Sequence, residues 1–528
     1  MTGIIRIGAA STEPCSAEMV GAKAANLARM AALGLPVPPA FVVPIGLCAG
    51  IIAGAPDAAQ QLTACLAEGI GFLETATGRR FGDRRRPLLV SVRSGAARSM
   101  PGMLDTVLDV GCTPDAVHGL IRQTGHPRFA WDCRRRFLES FAMVVGGLDA
   151  ALFARPRAAM AAAEGMSEAM LDGEALERLT LAYETLADEH ALLPASPMAQ
   201  LEAAARAVYR SWTSERATTY RRLQNLEDLQ GTAVTVQAMV FGNRGLASGA
   251  GVAFSRDPSN GAAEPVIELL FEAQGEDIVS GRVTPEGKAA LTSRLPEAAA
   301  QLCDILGTLE AAFTDVQDVE FTIEDSRLWI LQTRAAKRTP RAALRFALDF
   351  VRENRIDAAE ALRRLAEIDL ASLSTARFRD AGTPVARGIG ASAGLAAGRA
   401  AFDPARAVAF AAAGDAVLLL RPDTSTADVA GFSAAAGIVT AAGGRTAHAA
   451  LVARQMAKPC IVGCAALNVD AGRAVATLAG KRLAEGDWLS IDGETGEMFL
   501  GRREMIIERP EAELASLAAL RARATASV

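Results

Sequence analysis

The sequence predicts a multidomain protein of mixed class, with α/β and α+β parts, and three observations lead to this prediction. The chain has 528 residues, which is enough for three or four domains with large cores. Short apolar runs typical of strands alternate with amphipathic helical stretches in two separate regions, 1–110 and 386–505. A mostly helical region, about 111–225, follows the first of these, and strand patterns return after it.

The N-terminal part, residues 1–340, is predicted from local patterns. The stretch GAKAANLARMAALG has the spacing of an amphipathic helix, PPAFVVP enters a strand, and PLLVSVRSG is a buried strand. We interpret 111–225, which contains FAWDCRRRFLESFAMVVGGL, as a helical insertion. Strands return in TAVTVQAMV, GAGVAFSRDP and PVIELLFEA, and the hairpin QDVEFTIEDSRLWILQTR closes this part.

The C-terminal part begins with a connector. Residues 341–385 are charged and helical in pattern, and we predict that they join the two larger regions. Residues 386–505 form a second α/β unit that ends in the strand and turn pattern DWLSIDGETGEMFLG. The last stretch, 506–528, predicts a terminal helix.

Composition argues against several functional classes. The chain has 50% hydrophobic and 22% charged residues and a formal charge of -5, without 18 consecutive apolar residues or a secretory signal, so we expect no membrane span. No basic domain or stripe of aromatic and basic residues is present, so nucleic-acid binding has no support. The eight cysteines lack CxxC spacing and resemble reduced thiols, from which we predict a cytoplasmic protein.

One of only four histidines lies in GGRTAHAALVAR. The strand patterns DAVLLLRP and GIVTA precede it and a helix pattern follows. Thr446 is predicted as the N-cap, which puts His448 in the first helical turn, where free backbone N–H groups favour negative charge. A histidine that carries a phosphoryl group fits such a position. The alternative is a histidine that only packs or caps.

The hairpin QDVEFTIEDSRLWILQTR places polar residues together. Alternation puts Asp318 and Glu320 on one face of its first strand, and Gln332 and Arg334 share a face of the returning strand. Two carboxylates at this spacing suit Mg²⁺ with triphosphate, because Mg²⁺ prefers oxygen ligands and shares them with phosphates. The alternative is a solvent-exposed face that carries ordinary charges.

Three further stretches offer groups for phosphate. VSVRSGAARSMPGMLDT runs from a buried strand into a loop, with Arg93 at the strand end and Arg98 in the loop, and such loops donate backbone N–H groups. Lys23 follows Gly21 at a helix start, a position from which its ammonium group can reach a phosphate; the alternative is a solvated helix residue. The three consecutive arginines of FAWDCRRRF cannot all share one helical face. We expect them to lie on a solvated face of a helix, and the alternative is that one of them binds an oxyanion.

Together these stretches resemble the N-terminal and central parts of the pyruvate, phosphate dikinase family. They occur in the family's order, from about residue 17 to 505, and their combination is highly specific. The matching stretches are GAKAANLARMAALGLPVPPAF, VSVRSGAARSMPGMLDTVLDVG, FAWDCRRRFLESF, MVFGNRGLASGAGVAFSRDPSNG, EAQGEDIVSG, QDVEFTIEDSRLWILQTRAAKRT and GGRTAHAALVAR.

The resemblance implies an ATP-grasp nucleotide-binding domain followed by a swivelling phosphohistidine domain, with 341–385 as the hinge. It implies that His448 accepts phosphate, that Arg135 contacts inorganic phosphate, and that Thr446 matches a regulatory phosphorylation site of some relatives. Arg93 joins His448 and Arg135 as an expected catalytic residue, and Asp318 and Glu320 hold the metal, Mg²⁺. The positions implied at the nucleotide are Lys23, Arg93, Glu268, Gln274, Asp318, Glu320, Gln332 and Arg334.

The implied reaction uses ATP and inorganic phosphate to phosphorylate His448 and releases AMP and pyrophosphate. The family's barrel for pyruvate lies beyond the resemblance, so we expect the phosphate to pass to pyruvate on a separate barrel protein or to another small acceptor. Arg445 and Pro459 are more like phosphoenolpyruvate synthase, which leaves an enzyme that uses water as one alternative. A non-catalytic nucleotide-binding regulator is the other, and a homodimer is left open.

Overall fold

The chain divides into two compact units, Met1–Ser248 with Ile323–Thr333, and Gly249–Thr322 with Arg334–Val528. The structure is a computed structural model. It describes residues 3–8, 15–98, 100, 103–194, 196–279, 283–366, 368, 375–380, 382–423, 428–445, 447–508 and 511–526.

The first unit begins with a sheet and continues into a helical region. Its strands are β1 (Ile5–Ile7), β2 (Ala40–Val43), β3 (Arg80–Phe81), β4 (Pro87–Leu88), β5 (Val90–Gly95), β6 (Thr106–Val110) and β7 (Ala233–Ala238). Its helices are α1 (Ala17–Val20), α2 (Ala22–Ala32), α3 (Cys48–Ile52), α4 (Pro56–Thr77), α5 (Pro114–Thr124), α6 (Pro127–Val144), α7 (Ala151–Glu164), α8 (Gly173–Glu189), α9 (Pro197–Arg210) and α10 (Glu215–Leu223).

The main sheet of this unit has the order β1-β2-β7-β5-β6, and its paired strands run antiparallel. Every residue of β2 and β7 is buried, including the polar Thr235 and Gln237 of β7, so both strands lie inside the first unit. The helix predicted from GAKAANLARMAALG is confirmed as α2, and the strand predicted from PLLVSVRSG is confirmed over most of its length as β4 and β5.

The helical interval predicted at about 111–225 contains α5 to α10. Local signals set the bounds of α5: the Thr113 side chain accepts a hydrogen bond from the Ala116 N–H, Pro114 is the first residue, and Gly125 ends the helix in the left-handed region. Helix α6 buries Phe137 and Phe141 against the core. Full burial of each such side chain contributes about 1.5–3 kcal/mol, so these helices form part of the core of this unit.

The second unit continues the chain with strands β8 (Gly249–Phe254), β9 (Val266–Phe271), β10 (Glu286–Gly287), β11 (Gln317–Glu324) and β12 (Arg327–Ala335); the last two contribute residues to both units. These strands form a sheet of order β10-β9-β8-β11-β12. The helices of this stretch are α11 (Gly275–Val279), α12 (Lys288–Arg294), α13 (Pro296–Phe313), α14 (Pro340–Arg352) and α15 (Ala358–Leu365).

The rest of the second unit contains the predicted C-terminal α/β region. Its strands are β13 (Thr375–Phe378), β14 (Ala386–Arg387), β15 (Ile389–Ser392), β16 (Leu395–Ala401), β17 (Val417–Arg421), β18 (Gly437–Thr440), β19 (Cys460–Val462), β20 (Leu467–Asp470), β21 (Val475–Leu478), β22 (Lys481–Ala484), β23 (Trp488–Asp492), β24 (Glu497–Leu500) and β25 (Met505–Glu508). Its helices are α16 (Pro404–Ala412), α17 (Val429–Ala434), α18 (His448–Gln455) and α19 (Glu511–Ala526).

A mixed sheet of order β14-β24-β23-β16-β17-β18-β19-β15 organises this region. Strands β16 to β19 are parallel neighbours, and antiparallel strands flank them. The continuous apolar runs of β17 and β18 are buried, as expected for parallel strands covered on both faces. Helix α18 therefore starts at the carboxyl end of β18, beside the edge where ligands commonly bind in such sheets.

The predicted helical connector, 341–385, is only partly helical. Helix α14 begins after an N-cap, Thr339, and buries Phe346 and Phe350, so this part of the predicted connector belongs to a core. Residues 375–378 were expected to be helical but form β13, which pairs antiparallel with β25. The terminal helix is confirmed as α19, whose apolar residues pack against α14 and α15.

Candidate active site

Lys23 and Arg93 lie near one junction between helix and strand in the first unit. Gly21, at the start of α2, has φ +84°, and a Cβ there would lie 2.2 Å from the Gly95 carbonyl oxygen at the end of β5. Only glycine allows this approach, in which the Ala22 N–H donates to the Ala96 carbonyl at 2.9 Å. Exposed Lys23 is the second residue of α2, and half-buried Arg93 lies on β5.

The same helix contacts the strand that carries Gln332. The Asn26 side chain of α2 donates to the Thr333 carbonyl of β12 at 3.0 Å, and Gln332 precedes that residue and is buried. Three predicted nucleotide positions thus lie on elements that touch one another within the first unit. In the loop after β5, Arg98 is exposed, whereas Ser99, Pro101 and Gly102 lie outside the described residues.

The hairpin face in the second unit is buried. Asp318 is only 3% exposed, and its Oδ2 accepts a hydrogen bond from Arg334 Nε at 2.8 Å. This pairing confirms that the two strands bring Asp318 and Arg334 together, and it excludes the alternative of a solvent-exposed face at Asp318. Half-buried Glu320 follows two residues later on β11.

Asp318 fits a cation. Its Oδ1 is buried and has no hydrogen-bond partner among the described residues. Burial raises the pKa of Asp318 although Arg334 opposes the shift, so a further positive charge at Oδ1 would stabilise the carboxylate. Within the described ranges no group of three or more His, Cys, Asp or Glu has a metal-binding arrangement, so Asp318 and Glu320 suit Mg²⁺ only if phosphate supplies other ligands.

His448 is the first residue of α18 and is half-buried. Its Nε2 is buried without a hydrogen-bond partner among the described residues, and its ring lies 6.1 Å from that of Phe432. Burial lowers the pKa of His448, while Asp428 opposes this shift, so the neutral imidazole is favoured. The position in the first helical turn is confirmed. The predicted N-cap is wrong, because the N-cap is Ala447, which provides no side-chain cap; Thr446 lies outside the described residues.

The loop before His448 is held by hydrogen bonds to two sheets of the second unit, through Glu268 on β9 and Gly390 on β15. The Arg445 backbone N–H donates to Glu268 on β9, and the Arg445 Nε donates to the Gly390 carbonyl at 2.9 Å. A Cβ at Gly444 would lie 2.3 Å from Pro285 Cγ and 2.7 Å from Glu268 Oε2, so this contact requires glycine. Glu268 therefore contacts the histidine loop in this structure, and its place at the nucleotide stays a prediction.

Comparisons with known proteins match both halves of this arrangement. The family model described as "Pyruvate phosphate dikinase, AMP/ATP-binding domain" matches residues 58–295 and 288–354, and the one described as "PEP-utilising enzyme, mobile domain" matches 414–496. The chain belongs to the pyruvate, phosphate dikinase family. The phosphohistidine interpretation of GGRTAHAALVAR thus falls within the matched mobile domain.

Several curated relatives carry the same name. The chain is 41% identical over 495 residues to pyruvate, phosphate dikinase 2 of Zea mays, covering 92% of this chain and 56% of the relative. It is 41% identical over 492 residues to the chloroplastic dikinase of Flaveria trinervia, covering 92% and 52%, and 42% identical over 492 residues to dikinase 2 of Oryza sativa subsp. japonica, covering 92% and 55%. The chain thus spans about half the length of these relatives.

The arginine run of this dikinase-family chain contradicts one expectation. Arg134, Arg135 and Arg136 do not form a solvated face of α6 but lie against neighbouring chain. Arg134 donates to the Cys112 carbonyl at 2.6 Å and pairs with Glu184 at 2.9 Å. The periodicity of one helix could not reveal this, because the partners come from other elements.

Arg135, the predicted phosphate ligand, is held by carboxylates. Its Nη2 lies 2.7 Å from Asp132 and its Nη1 lies 2.8 Å from Glu139. Burial alone would raise the pKa of Asp132, but Arg136 and Arg135 outweigh it and hold that pKa below its ordinary value. Arg135 would have to exchange a partner to meet phosphate, so its role stays a prediction.

Arg454 of α18 is a residue that the sequence reasoning missed. It is 2% exposed, and it donates from Nη1 to the Ala391 carbonyl at 2.8 Å and from Nη2 to the Arg445 carbonyl at 2.6 Å. It therefore holds the loop before His448. A signal was present, because Arg454 follows Ala450 by four residues and shares the apolar face of the helix.

Gln274, the remaining predicted nucleotide position, is buried just before α11, where its backbone N–H donates to Asp277 at 2.9 Å. No helix within the described ranges is both long enough and apolar enough to span a bilayer.

Proposed function

We propose that this chain is an ATP-dependent phosphotransferase that phosphorylates His448 with ATP and inorganic phosphate and releases AMP and pyrophosphate. The observation that carries the proposal is His448 itself: a neutral-favouring imidazole at a helix start, with a buried Nε2 that lacks a hydrogen-bond partner among the described residues. A neutral ring nitrogen is the nucleophilic form. Family membership supports the identity of the donor.

The proposed chemistry has two steps. A ring nitrogen of His448, with Nε2 favoured by its lack of a partner, attacks the β-phosphorus of ATP, and the bond from that phosphorus to the α,β-bridging oxygen breaks to release AMP. An oxygen of inorganic phosphate then attacks the γ-phosphorus, and the β,γ-bridging bond breaks. Pyrophosphate leaves with the γ-phosphorus, and the β-phosphoryl group stays on His448.

The chain's own charges stabilise these steps in the proposal. Lys23 and Arg93 neutralise phosphate oxygens, because phosphoryl transfer depends mainly on positioning and on stabilisation of negative charge. Asp318 and Glu320 would hold Mg²⁺, which supplies charge neutralisation on the nucleotide when it is bound. Glu268, Gln274, Gln332 and Arg334 line the nucleotide in the same proposal.

We further propose an ATP-grasp nucleotide-binding domain over 1–340 and a swivelling domain over 386–505, with 341–385 as the hinge. The polar character of several contacts between the two regions supports movement: Arg445 donates to Glu268 and lies 3.8 Å from Asp257, and the Ser259 hydroxyl donates to the Ala391 carbonyl at 2.9 Å. Such a contact separates at a lower cost than a packed interface. The phosphoryl group would then pass to pyruvate on a partner or to another acceptor.

Labelled ATP tests the proposal. ATP labelled at the β-phosphate should leave an acid-labile label on the chain in the presence of Mg²⁺ and phosphate, and ATP labelled at the γ-phosphate should release its label as pyrophosphate. His448→Asn should abolish the retained label, whereas His118→Asn on α5 should keep it. Retention of the β-label in His448→Asn would refute the assignment.

A water-using enzyme remains the second candidate, and one observation favours it. Arg135 is paired with both Asp132 and Glu139, which leaves the predicted phosphate ligand engaged. AMP formation at equal rates with and without phosphate, with free phosphate as the product, would favour this candidate. Strict dependence on phosphate supports the dikinase reaction.

A further inference from the structure

A cavity of about 620 Å³ lies in the second unit, and its lining residues include neither the hairpin carboxylates nor His448. Its walls come from α14, from the segment that joins β12 to α14, and from the C-terminal end of α18. Sites for small molecules typically have volumes of about 300–1,000 Å³. The cavity is thus large enough for a ligand of moderate size.

The floor of the cavity is apolar. Ala343, Phe346, Ala347 and Phe350 of α14 line it, and Leu365 of α15 extends it. Phe350 is almost fully buried and belongs to the core, so this wall is fixed by packing. An apolar wall of this kind favours an aliphatic or aromatic ligand body.

The charged residues of the cavity fall into two classes. Arg338 is paired with Asp315 through both terminal nitrogens, at 2.6 and 3.0 Å, and Arg364 is paired with Glu360 at 2.7 Å. Among the described residues, neither Lys337 nor Arg454 forms an ion pair within 4.0 Å with a carboxylate. Asp318 acts electrostatically on both of them, but the one carboxylate among the described residues that line the cavity is Asp315, which is already paired with Arg338.

Lys337 and Arg454 are the two cations on which a ligand carboxylate would act. Lys337 is exposed at the rim, and the hydrogen bond that its Nζ makes among the described residues is long, at 3.4 Å to Gln455 Oε1. Arg454 is only 2% exposed and its Nε is buried, so it would act on a ligand through its charge and not through that donor. A carboxylate beside Lys337 would gain a charge-assisted hydrogen bond from Nζ.

We propose that this cavity binds a small amphipathic carboxylate, with the carboxylate at Lys337 and Arg454 and the apolar body against α14. The cavity joins α14 of the proposed hinge to α18 of the proposed swivelling domain, so the proposal rests on these two elements being in contact when the ligand binds. The titration below needs neither ATP nor phosphate, so its outcome is separate from that of the labelling experiment.

Calorimetric titration of the full chain with octanoate and with 1-octanol tests this inference. The two probes share an apolar body and differ in charge. Octanoate should bind about tenfold or more tightly than octanol, since a charge-assisted hydrogen bond contributes about 1.5–3 kcal/mol. Equal affinities, or no octanoate binding at millimolar concentration, would overturn the proposal.

Two variants locate the site. Lys337→Gln should weaken octanoate binding about tenfold and leave octanol binding unchanged, whereas the matched control Lys481→Gln, at an exposed lysine of β22, should change neither. Ala343→Phe should reduce binding of both probes by filling the cavity, and Ala343→Leu serves if the larger substitution prevents folding. Unchanged octanoate binding in Lys337→Gln, or in the folded Ala343 variant, would contradict the assignment.

Discussion

Two buried arginines, Arg135 in the first unit and Arg454 in the second, are held in opposite ways. Arg135 pairs with Asp132 and Glu139, and although its burial would lower its pKa, these carboxylates raise it. Arg454 donates to the carbonyls of Ala391 and Arg445, and its burial lowers its pKa. Arg135 is therefore charge-compensated by contact, whereas the hydrogen-bond partners of Arg454 within the described part of the chain are neutral carbonyl oxygens.

The difference separates two uses of a buried cation. A guanidinium paired with carboxylates fixes its neighbours, because loss of one partner leaves an uncompensated charge in the interior. A guanidinium bonded to carbonyls positions backbone while its charge remains available to other groups. In the second unit that backbone is the loop before His448, and Arg454 also lines the cavity beside α14.

The largest effect is expected in the arginine cluster of α6. Asp132 accepts hydrogen bonds from Arg135, Arg136 and Asn243, so Asp132→Asn should lower the free energy of unfolding by about 3–5 kcal/mol. Chemical denaturation measures this change. Asp115→Asn, at an exposed acidic residue of α5, is the control, and a loss in Asp132→Asn no greater than in this control would show that the cluster is not structural.

A smaller but still large effect is expected on catalysis from the hairpin. Asp318→Asn keeps the shape of the side chain but removes the charge that suits Mg²⁺, so AMP formation should fall by at least about 100-fold. Asp325→Asn, in the exposed turn of the same hairpin, should stay near the unsubstituted rate. Near-normal AMP formation in a folded Asp318→Asn variant would exclude a metal site here.

The sequence anticipated these regions unequally. Alternation in QDVEFTIEDSRLWILQTR was enough to place Asp318 beside Arg334, because residues on facing strands meet within one hairpin. The helix start at His448 was predicted from Gly443, Gly444 and the following apolar spacing. Such local patterns carry their own geometry.

Features that depend on distant partners were not predicted. The burial of Arg134 depends on Glu184, which lies fifty positions away in the sequence. Strand β13 forms by pairing with β25, which follows the whole α/β region in the sequence. Residues 341–385 were interpreted as a charged helical connector, yet α14 packs its phenylalanines into a core. Pairing between remote segments, which periodicity does not encode, accounts for these errors.

Arg454 gives a smaller effect that tests the positioning side of the comparison. Arg454→Met should reduce the rate of His448 labelling about tenfold, because the loss of one charge-assisted hydrogen bond to the Arg445 carbonyl loosens the loop. Arg352→Met, at a largely exposed arginine of α14, is the control. An unchanged labelling rate in Arg454→Met would mean that this arginine does not position the loop.

The smallest effect concerns the pH dependence of His448. Its pKa is lowered by burial and partly restored by Asp428, so the acid limb of the labelling rate should have its midpoint below the ordinary value of about 6.5. The neutral form is favoured in the folded chain, so the stability that His448 contributes is present above about pH 6.5 and is lost as the pH falls toward the folded pKa. Asp428→Asn removes the group that favours the imidazolium and should move the midpoint lower still. Initial rates of labelling from β-labelled ATP, measured on both sides of the ordinary pKa of about 6.5, give both midpoints. A shift to higher pH in Asp428→Asn would show that this carboxylate does not act on His448, and the ring would then owe its protonation state to burial alone.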